Sequence, residues 1–236
     1  MHRFAGVLVV AFVLSAGSGD VRADAVEDEF AGVTWQSLFD GRTLDGWEVR
    51  SGFAKYHVED GAIVGTTVEG SPNTFLCTKK RYGDFILEFE VKVDPPLNSG
   101  VQIRSNAYKK ETVTTVWRNG KERRQTRPAG RVCGYQVEIA SGTHSGGIYD
   151  EARLAKWLYD AARNPEASKA FKDNQWNRMT VSAHGRRIVV HVNGKKSAEL
   201  IDDPGRLEGY LGMQLHGSQD VEVQFKDIRM LMPQKR

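Results

Sequence analysis

The chain has 236 residues, 40% hydrophobic and 27% charged, with a formal net charge of +3. That is ordinary globular composition, which excludes a disordered or fibrous chain, and the length suits one all-β domain of roughly 200–250 residues. The small net charge argues against nucleic acid or an acidic membrane surface as a partner.

Arg3 supplies a positive start, Phe4 to Ala16 an apolar run, and Ala23-Asp24-Ala25 an A-x-A cleavage site. Together they read as a secretory signal. The apolar run is short for a comfortable membrane span, which takes about 20 residues; the alternative is an uncleaved N-terminal anchor, and no other segment offers a span. We therefore expect residues 1–25 to be removed, 26–34 to form a flexible leader, and 35–232 to form one domain, periplasmic or secreted. Export permits a bridge between Cys77 and Cys133, but both lie in apolar strand-like contexts, so two buried free thiols are equally compatible.

Strand signals dominate. Tyr56–Val58 and Ala62–Thr66 flank Glu59-Asp60-Gly61, a hairpin signal. Thr74–Thr78 and Phe85–Val93 follow; in the second, Phe85, Leu87, Phe89, Val91 and Val93 share one face. After Val101–Arg104, residues 112–127 read as a hairpin arm turning at Asn119-Gly120, with basic residues that keep it soluble. Tyr135–Ile139 alternates again.

The helical period is strong once. Tyr149 to Ala162 places Leu154, Trp157, Leu158 and Ala161 on one face, with Asp150 and Glu151 in its first turn. Asn164-Pro165 then caps a short second helix reaching Phe171. Strands return at Asn177–His184, Arg187–Val192, Lys196–Ile201, Tyr210–His216 and Val221–Leu231, with a turn at Asn193-Gly194. So many short strands with regular turns predict an all-β sandwich or jelly roll.

Three strands carry unusual residues on the face opposite the core. Alternation turns Gln102 and Arg104 outward from one, Gln136 and Glu138 from a second, and Gln214 and His216 from a third. If these strands are neighbours, they form a polar floor on the concave side of a sheet. Amides and a guanidinium offer directed donors and acceptors that suit a hydroxyl-rich ligand. Asn98 precedes the first strand, and the glycine-rich loop after Ser141 brings His144 and Tyr149 to the floor's border.

The ordered set SLFDGRTLDGWEV, VEDGAIVG, YGDFILEFEVKV, NSGVQIRS, GYQVEI, GGIYDEA, WNRMTV, VNGK and LGMQLHG, through VQFKDIRML, resembles the 3-keto-disaccharide hydrolase domain family. The resemblance spans Trp35 to Leu231. It implies a concanavalin-like jelly-roll sandwich of two antiparallel sheets, and cleavage of glycosides whose sugar carries a ketone at C3. The segment from Asn106 to Arg131 is long for the family, and the E-x-D-x-E signature of laminarinase-type glucanases is absent.

The floor offers one clear acid, Glu138, which fits poorly with a two-carboxylate glycosidase. A 3-keto sugar has another route, because the ketone acidifies the C2 proton. Glu138 then serves as base, Arg104 stabilises the enolate and His216 protonates the departing C1 substituent, by elimination or hydrolysis. Gln102, Gln136, Gln214, Asn98, Tyr149 and His144 would bind the sugar. Alternatively, Glu138 and His216 would help hold a divalent metal ion that polarises the ketone; no ligand spacing identifies such a site. Two other classes stand beside the enzyme: a non-catalytic carbohydrate-binding module, with Trp47 and Tyr108 as candidate platforms, and a protein-binding domain of the laminin G kind.

Overall fold

The computed structural model describes residue 30 and residues 32–118, 121–201, 203–217 and 221–233. The signal segment 1–25, most of the leader and the Asn119-Gly120 turn lie outside the described residues.

In chain order the strands are β1 (Gln36–Ser37), β2 (Trp47–Arg50), β3 (Lys55–Glu59), β4 (Ala62–Thr66), β5 (Thr74–Thr78), β6 (Phe85–Val93), β7 (Asn98–Ala107), β8 (Thr112–Arg118) and β9 (Lys121–Arg127). They continue with β10 (Val132–Ala140), β11 (Ile148–Glu151), β12 (Trp157–Tyr159), β13 (Asn177–His184), β14 (Arg187–Val192), β15 (Lys195–Leu200), β16 (Tyr210–Leu215) and β17 (Glu222–Leu231). One short helix, α1 (Pro165–Ser168), lies between β12 and β13.

Two antiparallel sheets form the sandwich. One runs β15-β14-β13-β6-β17-β4-β3, with β1 also on β17; the other runs β12-β11-β10-β7-β16-β5-β2. β8 and β9 pair only with each other, as a separate ribbon. Alternation accounts for the packing between the sheets. Phe85, Leu87, Phe89, Val91 and Val93 of β6 meet Val101 and Ile103 of β7, Tyr135, Val137 and Ile139 of β10, and Leu211, Met213 and Leu215 of β16 in one buried cluster. Each such side chain contributes about 1.5–3 kcal/mol when fully buried.

Local chemistry explains the turns. Asp60-Gly61 and Asn193-Gly194 both have positive φ at each residue, as a two-residue type I′ hairpin requires. Asn164 caps α1, its side-chain oxygen accepting from the Ala167 amide, with Pro165 in the first turn. Cys77 and Cys133 are both free and buried. No helix among the described residues is long and apolar enough to cross a membrane.

The structure corrects two expectations. The helix predicted over Tyr149–Ala162 is instead β11, a turn, β12 and a 3-10 turn at Ala161–Arg163. β11 completes hydrogen bonds with β10, setting Tyr149 opposite Gln136 and Asp150 opposite Tyr135. Ala152 and Ala155 take positive φ, so no helix can pass through them, and Leu154 is exposed. Asp150 is therefore not in a helix's first turn: it is buried and held by both Nε and Nη2 of Arg153.

The second correction concerns Arg104. β7 carries a bulge there: Ile103 pairs with Tyr135 while Asn106 pairs with Cys133, and Arg104 has φ +47°. The extra residue breaks the alternation. The Arg104 side chain leaves the polar face and is 1% exposed. It donates to the Gly83 carbonyl at 2.9 Å, the Gly185 carbonyl at 2.6 Å and the Asp84 carboxylate at 2.6 Å. Arg104 thus clamps one sheet to the end of the other and is not available to stabilise an enolate.

Candidate functional site

The outer face of the second sheet is built in rows. Tyr149, Gln136, Gln102 and Gly212 are successive cross-strand neighbours on β11, β10, β7 and β16; Glu138, Gly100 and Gln214 form the next row. The three expected strands are therefore adjacent, as the floor requires.

The floor is not open to water. Gln102, Gln136 and Gln214 are at most 2% exposed and Glu138 is 5% exposed. Buried amides need partners, and a directed chain supplies them. Ser105, swung onto this face after the bulge, donates its hydroxyl to Gln102 Oε1 at 2.6 Å. Gln102 Nε2 donates to Gln136 Oε1 at 2.8 Å. Gln136 Nε2 donates to Glu138 Oε2 at 2.9 Å and to Gln214 Oε1 at 3.1 Å. Asn98 Nδ2 donates to the other oxygen of Glu138.

Gly100 makes that chain possible. A Cβ there would lie 2.7, 2.8 and 2.9 Å from Cγ, Cδ and Nε2 of Gln136, so the Gln136 side chain occupies the space a larger residue would fill. Burial pushes the Glu138 carboxyl up to about 7, against the donors from Gln136 and Asn98, which pull it down. A carboxyl poised near neutrality suits a general base or acid.

A cleft of about 340 Å³ opens above this carboxyl, within the usual size of small-ligand sites. Glu138, Gln136, Gln214, Asn98, Tyr149 and His216 all line it. His216 sits past the end of β16 and is exposed. Gln102 does not line the cleft; both ends of its amide are spent on Ser105 and Gln136, so it positions Gln136 rather than binding sugar. His144 does not line it either. Its ring stacks on Trp157 at 5.2 Å and its Nδ1 meets Asp160 at 2.8 Å.

The expected site left out other cleft residues: Asn73, Arg127, Arg131 and Trp157, together with Glu151, which the helical reading assigned to a first turn. Trp157 meets Tyr149 edge-on at 5.3 Å, giving the cleft an aromatic wall. Arg131 pairs with Glu151, and its guanidinium lies over the Phe75 ring at 5.3 Å. Glu151 is thus a second acid in the cleft, correcting the expectation of one. Its residue type was visible, but the helical pattern disguised its place. Arg127 and Arg131 were visible only as part of a basic run. Among the described residues, no group of three or more His, Cys, Asp or Glu side chains is arranged to hold a metal ion.

Residues 34–231 match the family model described as a 3-keto-alpha-glucoside-1,2-lyase-like domain. The chain belongs to that family. This lyase-like domain resembles a candidate glycosyl hydrolase from Parabacteroides distasonis at 20% identity, with a TM-score of 0.56 over 88% of this chain and 97% of that one. It also resembles the carbohydrate-binding module CBM66 from Bacillus subtilis at 14% identity, with a TM-score of 0.55 over 79% of this chain and 95% of that one. At these identities the likeness shows the shared jelly-roll fold, which hosts both catalysis and binding. No curated protein matches the sequence.

Proposed function

We propose that the lyase-like domain is an exported enzyme that cleaves 3-keto glycosides by elimination across C1 and C2. The observation that carries this reading is Glu138: a buried carboxyl with its pKa raised to about 7, held by two amide donors at the base of a cleft. The Glu138 carboxylate removes the C2 proton, made acidic by the neighbouring ketone. The electron pair forms the C1=C2 double bond and the C1–O bond breaks. The departing oxygen takes a proton from His216 at the cleft rim or from water. Arg127 and Arg131, rather than Arg104, supply positive potential where charge develops on the sugar. Gln214 and Asn98 present amides to its hydroxyls, and Gln136 holds Glu138 in place.

Glu151 supplies the second acid that a direct glycosidase would need, but its carboxylate is engaged by Arg131. Elimination needs only the one free carboxyl. The binding-module reading draws support from the Tyr149–Trp157 wall, since aromatic faces hold sugars without any chemistry.

The test is turnover of a 3-keto glucoside beside its unoxidised parent, with and without chelator, in wild type and Glu138→Gln. The enzyme reading expects cleavage of the keto sugar alone, abolished in the variant; loss with chelator would add a metal ion. Glycan binding without turnover of either sugar would leave the binding module.

A further inference from the structure

The β8–β9 ribbon and its flanks concentrate net positive charge. Residues 106–131 hold eight Lys and Arg against two Glu, a net +6 in a chain of net +3, so the remainder is net negative. The ribbon's strands pair with no strand of either sheet. Its strands pair in register from Thr112 with Arg127 to Arg118 with Lys121. By strand alternation Lys121, Arg123, Gln125 and Arg127 share one face, while Glu122, Arg124 and Thr126 share the other.

Arg127 fixes the first face relative to the cleft, which it lines. Its Nε donates to Thr114 at 3.2 Å and its Nη2 to Gln125 at 2.6 Å, both on that face. The stripe from Arg127 to Lys121 runs about 20 Å along the strand, at ~3.4 Å per residue. Lys121 and Arg123 are exposed, and no carboxylate among the described residues pairs with them or with Arg124. Several arginines outside the ribbon, Arg50, Arg81, Arg153, Arg187 and Arg229, each hold a carboxylate. Exposed Lys121 and Arg123, continuing the face on which Arg127 lines a sugar-sized cleft, complement a polymer of the opposite charge.

We propose that the ribbon is a docking rail for an anionic polysaccharide, carboxylated or sulfated, whose terminal residue enters the cleft. The rail gives binding, not chemistry, so it does not depend on Glu138. An anionic membrane is the less favoured partner because the stripe is continuous with a polar cleft rather than with an apolar surface.

Binding of chondroitin sulfate, polygalacturonate and neutral dextran is measured by calorimetry with the full-length Glu138→Gln protein at low and high salt. The expected result is binding of the two polyanions and not of dextran, weakened tenfold or more by high salt. Lys121→Glu/Arg123→Glu should weaken it at least tenfold, and Lys121→Gln/Arg123→Gln by an intermediate factor. Lys169→Glu/Lys172→Glu, with the same change in net charge at exposed positions outside the ribbon, should bind as the parent does. Thermal melting confirms that each variant is folded. Equal weakening in the Lys169/Lys172 variant, equal binding of dextran, or tighter binding to vesicles of equal phosphatidylcholine and phosphatidylglycerol would each overturn the proposal. Because the protein used is catalytically silent, failure here is separable from failure of the elimination reading.

Discussion

Gly100→Ala is the sharpest perturbation of the site. One methyl group placed 2.7–2.9 Å from three atoms of the Gln136 side chain cannot be accommodated without moving that side chain. Gln136 makes three buried hydrogen bonds: it accepts from Gln102 and donates to Glu138 and Gln214. A neutral bond is worth about 1 kcal/mol net and one to a charged group about 1.5–3, so displacing all three costs roughly 3–5 kcal/mol. In a domain of this size, each kcal/mol lowers Tm by about 2–4 °C, giving a fall of roughly 6–20 °C. The opposite sign is the default expectation. Replacing a glycine whose conformation tolerates a side chain usually stabilises by about 0.4–1 kcal/mol, by restricting the unfolded chain. A second readout follows from the Gln136 donor, which lowers the Glu138 pKa. Its loss should move the lower limb of the pH–rate profile above 7. Calorimetric melting and a pH–rate profile measure the two effects. An unchanged or raised Tm with an unshifted profile would refute the amide chain as the device that holds Glu138.

Three further outcomes follow. Glu138 binds its proton more tightly folded, at about 7, than its ordinary value of 4.5. Stability should therefore be full below about 4.5, fall as pH rises through 7 and then level off, a loss on the order of 3 kcal/mol; denaturation against pH should lose this slope in Glu138→Gln. Activity should run the other way, rising through 7 as the carboxylate forms. Arg104→Met should cost about 2–4 kcal/mol in chemical denaturation, since it leaves the Gly83 and Gly185 carbonyls without their donor, while Asp84 keeps the Gly185 amide. Below its lowered midpoint, kcat should stay within a few-fold of wild type; a large loss of kcat in the folded variant would return Arg104 to the site. Finally, burial pushes the Cys77 thiol up to about 12 and raises that of Cys133. Native protein at pH 8 should resist a thiol-disulfide reagent, and both thiols should react once unfolded.

The sequence exposes features that depend on local pattern. β6 is bounded as expected because its two faces differ so plainly, Phe and Val against Glu and Lys. The Asp60-Gly61 and Asn193-Gly194 turns are legible because few residue pairs accept two positive φ values. The amide floor is legible because Gln102, Gln136 and Gln214 repeat one oddity on three strands. What misleads is tertiary. β11 pairs with β10 and so overrides a helical spacing that Leu154, Trp157 and Leu158 display by chance. A bulge shifts one residue and sends Arg104 through to the other sheet, and no alternation rule foresees it. Arg131 meets Glu151 only because β11 folds back on β10, so their place in the cleft depends on a pairing that the helical reading hid.

The measurement that bears most directly on the central claim is proton exchange at C2 of a 3-keto glucoside in deuterated buffer, followed by NMR with wild-type protein and Glu138→Gln. The account predicts deuterium at C2, or the C1=C2 elimination product, forming faster than in buffer alone with wild type and at the buffer rate with the variant. A bound sugar that neither exchanges nor eliminates above the buffer rate, or a Glu138→Gln protein as active as wild type, would contradict it.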